Sequence, residues 1–274
     1  MSVPAMRREP VRPEDISSLI AFWDFQGEGS LHAARGHSAL LLREMRGPIR
    51  RAPEGIFGPS SLRIEWGQWL RIPRKDIGPL DLHGRSPLSM VAWIRPDSDR
   101  PWQFIAGVWN EHDHLRQYAL FYNGTRQSHS PSMNRTECRL RVHGYLSQSG
   151  GHTPGHPACY SYATGRTECY PEHWHCIAFT WDLRHIRVYV NGQLDTNGDA
   201  NPFLFDDSIF DGGSGGADFT VAQRAMALWH GYPDERMPAC EGFSGLLGGL
   251  AVYGRALDEA ELRVLALCGR MEGV

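Results

Sequence analysis

The chain has 274 residues, of which 41% are hydrophobic and 22% charged, and its formal net charge is −3. That size and balance fit one large globular all-β domain or two small domains. They argue against nucleic acid or an anionic membrane as a general partner. No apolar run is long enough to cross a bilayer, and Met1 to Glu14 lacks the apolar stretch of a secretory signal, so a cytoplasmic location is expected.

In chain order, residues 1–18 read as a leader or edge segment and 19–274 as a single domain. Leu19 to Phe25 reads as the first strand, and Ala39 to Arg43 as a second. Ser61 to Ile72 alternates well, with Leu62, Ile64 and Trp66 on one face, and predicts a hairpin. Leu88 to Arg95, Phe104 to Trp109, Gln117 to Tyr122 and Leu140 to Leu146 are further strands. Residues 147–173 then form a long loop rich in Gly, Pro, His and Tyr, a length that in a compact domain points to function or mobility. Trp174 to Trp181 and His185 to Val190 form a pair of strands, and Asn191-Gly192 is a strong turn signal. A second loop covers 196–217, and Asp218 to Ala222 and Gly245 to Tyr253 close the set of strands. Asp258 to Leu267 predicts the one convincing helix, with Asp258 as N-cap and Leu262, Leu265 and Ala266 as its apolar stripe. The fold class expected is all-β: a two-sheet antiparallel β-sandwich with long loops and one short C-terminal helix.

The six cysteines are Cys138, Cys159, Cys169, Cys176, Cys240 and Cys268. No C-x-x-C pair occurs, so structural zinc is not indicated. In a chain without a signal the thiols are expected to be reduced and mostly buried. Cys159 and Cys169 are the pair that an oxidising setting could join.

Several segments in order resemble the laminin-G-like (concanavalin A-like lectin/glucanase) jelly-roll family. They are Ala21-Phe22-Trp23-Asp24-Phe25, then Gly67 to Pro73, then Ser89 to Pro96 with its central Trp93. Trp174 to Asp182 followed by Arg187 to Gly192 is the closest match, and Phe243-Ser244-Gly245 with Ala251 to Leu257 closes the series. The resemblance runs from about residue 19 to 267. It implies a jelly roll with a ligand groove on the concave sheet, and it leaves the chemistry open because this fold hosts lectins, adhesion modules, hydrolases and lyases. Family members often carry an acidic residue after the closing Gly-x-Ile; here Leu246-Leu247-Gly248-Gly249 has none, which weakens an inherited calcium site. Trp93 and Trp174 are expected to fill the space between the sheets.

The segment Arg139-Leu140-Arg141-Val142-His143-Gly144-Tyr145 carries the most chemistry. On a strand, Arg139, Arg141, His143 and Tyr145 share one face, and two guanidiniums, an imidazole and a phenol suit an oxygen-rich or anionic ligand. The face reads equally as a solvated one of chance composition. Trp109, Asn110, Glu111 and Arg116 lie nearby by the resemblance, and His152, His156, Tyr160 and Tyr162 belong to the loop beside it. These twelve residues are the candidate ligand-binding set.

The leading reading is a carbohydrate-recognising protein. A β-elimination lyase on uronate-containing oligosaccharides is the alternative, with Arg141 neutralising the carboxylate and either His143 as base with Tyr145 as acid, or Tyr160 or Tyr162 of the loop in the acid–base role. A protein-interaction module is the third reading. Whether the chain is an enzyme stays open. Arg135 to Arg139 is similar to a five-residue stretch of jelly-roll alginate lyases, whose other elements have no matching form here. The Glu-x-Asp-x-x-Glu of laminarinase-type jelly rolls is absent, so hydrolysis by that route is disfavoured. No cofactor is required by the sequence; Asp206, Asp207 and Asp211 are weak candidates for Ca²⁺. Carbohydrate is the partner expected, with no nucleic acid and no membrane. The sequence does not name the sugar or give the oligomeric state.

Overall fold

The computed structural model describes residues 11–36, 39–124, 137–156, 158–225 and 242–268. Residues 1–10 of the expected leader, Cys240, and Arg135 and Thr136 of the five-residue stretch lie outside these.

Two antiparallel sheets pack face to face. The first holds β1 (Leu19–Trp23), β4 (Arg50–Ala52), β5 (Ser61–Ile64), β7 (Leu88–Pro96), β12 (His175–Trp181), β13 (His185–Val190), β14 (Gln193–Leu194), β15 (Phe203–Leu204) and β17 (Gly245–Tyr253). The second runs in the order β11 (Tyr162–Thr164), β10 (Arg141–Leu146), β9 (Leu115–Asn123), β8 (Gln103–Asn110), β16 (Phe219–Val221), β6 (Trp69–Ile72), β3 (Leu41–Met45), β2 (Leu31–Ala33). The two-sheet jelly-roll sandwich expected from the sequence is the fold observed. Helix α1 (Glu259–Leu267) begins at Asp258, whose side chain accepts from the Glu261 amide while Glu261 reaches back to the Asp258 amide.

Alternation sets the layers. Leu70, Ile72, Val108, Tyr118, Leu120, Val142, Phe219 and Val221 point from the second sheet into the space between the sheets. Leu62, Met90, Ile94, Phe179 and Val188 meet them from the first. Gly144 sits where β10 passes closest to the other sheet: a Cβ there would lie 2.5 Å from Phe179 Cβ. At the sandwich edge His32 and Glu44 are buried and bonded at 2.9 Å, and Arg51 reaches across from β4 to the same carboxylate at 3.1 Å.

Two expectations are corrected here. Residues 61–72 are not a hairpin. β5 pairs with β4 and β17 whereas β6 pairs with β3 and β16, so the turn after Glu65 carries the chain from one sheet to the other. Trp66 accordingly leaves the buried face of Leu62 and Ile64 and is exposed under Arg100, 4.5 Å from its ring. Trp93 and Trp174 do not lie between the sheets. They pack on the outside of the first sheet with Phe22, Phe57 and the residues beneath α1; the indoles between the sheets are Trp23 and Trp181. Cys159 and Cys169 are unpaired and lie in different layers, one outside the second sheet and one in the central core. The described cysteines other than Cys268 are buried. Asn191 and Gly192 do form the tight turn between β13 and β14, both with positive φ (51° and 79°).

Candidate functional site

The outer face of the second sheet is where the candidate residues meet. Following the pairing register across it gives one row: Tyr162, Tyr145, Ala119, Gly107, Thr220, Arg71, Arg43, Leu31. Small residues hold the middle, two tyrosines stand on one side and two arginines on the other. The neighbouring rows on the tyrosine side bring in His143, Phe121 and Phe104, and Trp109 opposite Arg116.

Arg116 reaches this face through an irregularity. Val108 pairs with Tyr118 but Trp109 pairs with Arg116, so β9 carries one extra residue, Gln117. Regular alternation would turn Arg116 toward the inner core; the bulge turns it outward beside the indole. Gln117 is held by Asp81 and the Leu82 carbonyl, to which its amide donates at 3.0 and 3.2 Å.

The aromatic half is tightly assembled. Tyr145 stacks on Tyr162 with centroids 4.6 Å apart, and Trp109 meets Tyr145 edge-on at 5.6 Å. Residues of the 147–161 loop lie over it: Cys159 and Tyr160 belong to the same buried cluster, and His156 stacks on Tyr160 at 4.5 Å. The loop is tied down where the Arg116 amide donates to the Gly150 carbonyl and the Tyr160 amide to the Thr153 hydroxyl. Burial, reinforced by Tyr162, holds the Tyr145 phenol well above its usual pKa, so it is a neutral donor at any ordinary pH.

A polar cluster adjoins the aromatics. Arg116 is 3% exposed, with its guanidinium carbon 5.8 Å from the Trp109 ring. Its Nη2 lies 3.7 Å from Glu111, whose other oxygen pairs with Arg224 at 2.8 Å. Arg224 arrives because the chain turns after β16 at Ala222 and runs back beside β8; the Ala222 amide donates to Ile105 and the Ala225 amide to Trp109. Gln223, in the same segment, is fully buried. Arg116 Nε and Nη1, the Trp109 indole nitrogen, both Gln223 side-chain polar atoms and the Thr220 hydroxyl are buried with no hydrogen-bond partner among the described residues. Glu111 is a third exposed and marks where the cluster opens to solvent.

The candidate set therefore divides. Trp109, Glu111, Arg116, Tyr145, Tyr160, Tyr162 and His143 share the outer face. Arg139 does not share it: Leu140 takes φ 56°, the strand begins at Arg141, and Arg139 is an exposed side chain 3.8 Å from Glu168. Arg141 is buried and donates to the Gly165 carbonyl. Asn110 serves the turn after β8, accepting from the His112 and Asp113 amides and donating to Asp113. His152 packs on His114 at the loop base. The catalytic allocation meets an obstacle. His143 is wholly buried among Trp102, Tyr145 and Tyr162, with its Nε2 3.5 Å from the Thr164 hydroxyl. Among the calcium candidates, the Asp206 and Asp207 carbonyls accept from Arg85, while Asp211 approaches Asp81 and His83 instead. The three named aspartates do not converge. Arg224, Gln223 and Thr220 were absent from the sequence reading. The available signal was a Gln-Arg pair directly after a strand, but nothing local says that the chain doubles back beside β8.

A family model for the concanavalin A-like lectin/glucanase superfamily matches residues 68–263. The chain belongs to that superfamily. No curated protein matches it in sequence. Among solved structures, domain 4 of an extracellular arabinanase of Geobacillus stearothermophilus, in complex with arabinotriose, is similar at 16% identity and TM-score 0.59; the match covers 91% of this chain and 98% of that domain. The ligand-binding domain of botulinum neurotoxin serotype D, in complex with N-acetylneuraminic acid, matches at 10% identity and TM-score 0.57 over 94% of this chain and 52% of that one. A Trypanosoma rangeli sialidase matches at 15% and 0.53 over 94% and 34%. At these identities the likeness is one of fold.

Proposed function

We propose that this superfamily member recognises carbohydrate, and that the sugar sits on the outer face of the second sheet where Trp109 and Arg116 adjoin. The observation that carries this reading is Arg116 itself. A guanidinium that is 3% exposed, set against an indole, with Nε and Nη1 lacking acceptors, is costly unless a ligand supplies oxygens. Saccharides offer hydroxyls to such donors and apolar ring faces to aromatic side chains. The arabinotriose and N-acetylneuraminic acid held by similar folds support the same reading.

The test is calorimetric titration of the protein with a panel of oligosaccharides, followed by the same titrations of Trp109→Phe. Saturable binding to at least one member, weakened at least tenfold in the variant, is expected. A panel with no binder would remove the reading.

A further inference from the structure

The site's polar groups also bear on the charge of its ligand. This deepens the reading just given and rests on it. Arg116 and Arg224 both lie within reach of one carboxylate, Glu111, and the three are not evenly matched: Arg224 stands 2.8 Å from Glu111 and Arg116 3.7 Å. Glu111 is thus committed mainly to Arg224, and Arg116 keeps a full charge at 3% exposure with Nε and Nη1 unpartnered. A neutral hydroxyl would satisfy a donor but would leave the charge. An anionic oxygen satisfies both, adding coulombic attraction at low local dielectric to the hydrogen bond that either kind of oxygen accepts.

The other unpartnered groups fit a charged sugar. Gln223 offers an amide donor and acceptor, Thr220 a hydroxyl and Trp109 an indole N–H, all buried and on β8, β16 or the segment returning beside β8. Only one of the four side chains is charged, so one anionic substituent among several hydroxyls is the pattern they complement. We infer that the site takes an acidic saccharide, with its carboxylate or sulfate ester on Arg116 and its neutral hydroxyls on Gln223, Thr220 and the Trp109 N–H. Arg116 binds and orients; no bond is made or broken.

Uronate oligosaccharides and sulfated oligosaccharides would each be titrated beside a neutral counterpart, carboxyl-reduced or desulfated, at low and at moderate salt. An acidic member should bind at least tenfold tighter than its neutral partner, with the gap narrowing as salt rises. Which arm shows the gap says whether the anion is carboxylate or sulfate. Equal affinity for acidic and neutral partners would overturn this inference and leave carbohydrate recognition standing; no binding by any member, charged or neutral, would overturn both. These comparisons use the unaltered protein, so they do not depend on a variant folding. Arg116→Lys, which keeps the charge and loses the planar fork, should reduce but not erase the preference for the acidic member, and Arg116→Gln should erase it. A preference unchanged in a folded Arg116→Gln would also overturn the inference.

Discussion

The second sheet has two unlike halves on its outer face. Across β8 to β11 the face is aromatic and covered: Trp109 is 1% exposed and Phe104 fully buried, with loop residues Cys159 and Tyr160 laid on top. Across β2, β3 and β6 it is open. Leu31 and Leu41 are 46% and 50% exposed, and a cleft of about 610 Å³ is lined by Arg43, Arg71, Lys75 and Met45 among others. Both halves carry arginine, but the chemistry differs. Arg43 stands in solvent, which satisfies it at no cost, and Arg71 is paired with Asp218 at 2.6 Å. Arg116 has no solvent, and its one carboxylate, Glu111, stands 3.7 Å from Nη2 and leaves Nε and Nη1 unpartnered. An exposed cation carries little information about function; a buried one with idle donors carries much.

Substitutions can break this contrast. The largest effect is expected from Trp109→Ala, which empties a buried site against Phe121, Tyr145 and Arg116. A loss of about 3–5 kcal/mol should appear in denaturant unfolding. A loss below about 1 kcal/mol would mean that the covered half is loosely packed. Gly144→Ala comes next. It forces a Cβ to within 2.5 Å of Phe179 Cβ and should cost about 1–3 kcal/mol, read as a lowered Tm.

Arg116→Met separates the halves by purpose. The change removes a buried charge with two idle donors and leaves Glu111 its closer partner Arg224, so no carboxylate is stranded and the Tm should hold or rise. Arg43→Ala, on the open half, should change stability by no more than about 0.5 kcal/mol. Acid should weaken the sandwich edge as well. Burial lowers the His32 pKa below its usual 6.5, against the opposing hydrogen bond that its ring donates to Glu44. The unfolded chain therefore binds this proton first, and stability present above pH 6.5 is lost as pH falls through the folded value. Unfolding free energies measured from pH 7.5 down to 5 should fall, and a flat profile in His32→Gln would assign the slope to this residue.

Much of the architecture was legible from strand composition, turn signals and the ordered family segments, although β7 to β12, β16 and β17 are buried on both faces and only short strands such as β2 and β3 alternate between buried and exposed. What failed had specific causes. β7 is buried on both faces, so its alternation does not tell Trp93 which side faces the other sheet. Ser61 to Ile72 alternates like a hairpin, yet nothing local distinguishes a turn within one sheet from one between two. In the candidate site, Trp109, Glu111 and Arg116 follow from the resemblance, which sets strands 104–109 and 117–122 in one sheet with 139–146, although the bulge that turns Arg116 outward does not. Arg139 was lost to the positive φ at Leu140. Arg224 and Gln223 join only through long-range contact with β8, which no local pattern reports.

The most direct measurement is the affinity of one acidic oligosaccharide, chosen from the panel as a binder, for the parent protein, Arg116→Met and Arg43→Ala side by side. Binding should be lost in a folded Arg116→Met and kept within about twofold in Arg43→Ala. The reverse pattern, binding kept without Arg116 and lost without Arg43, would move the ligand to the open cleft and contradict the assignment to the covered half.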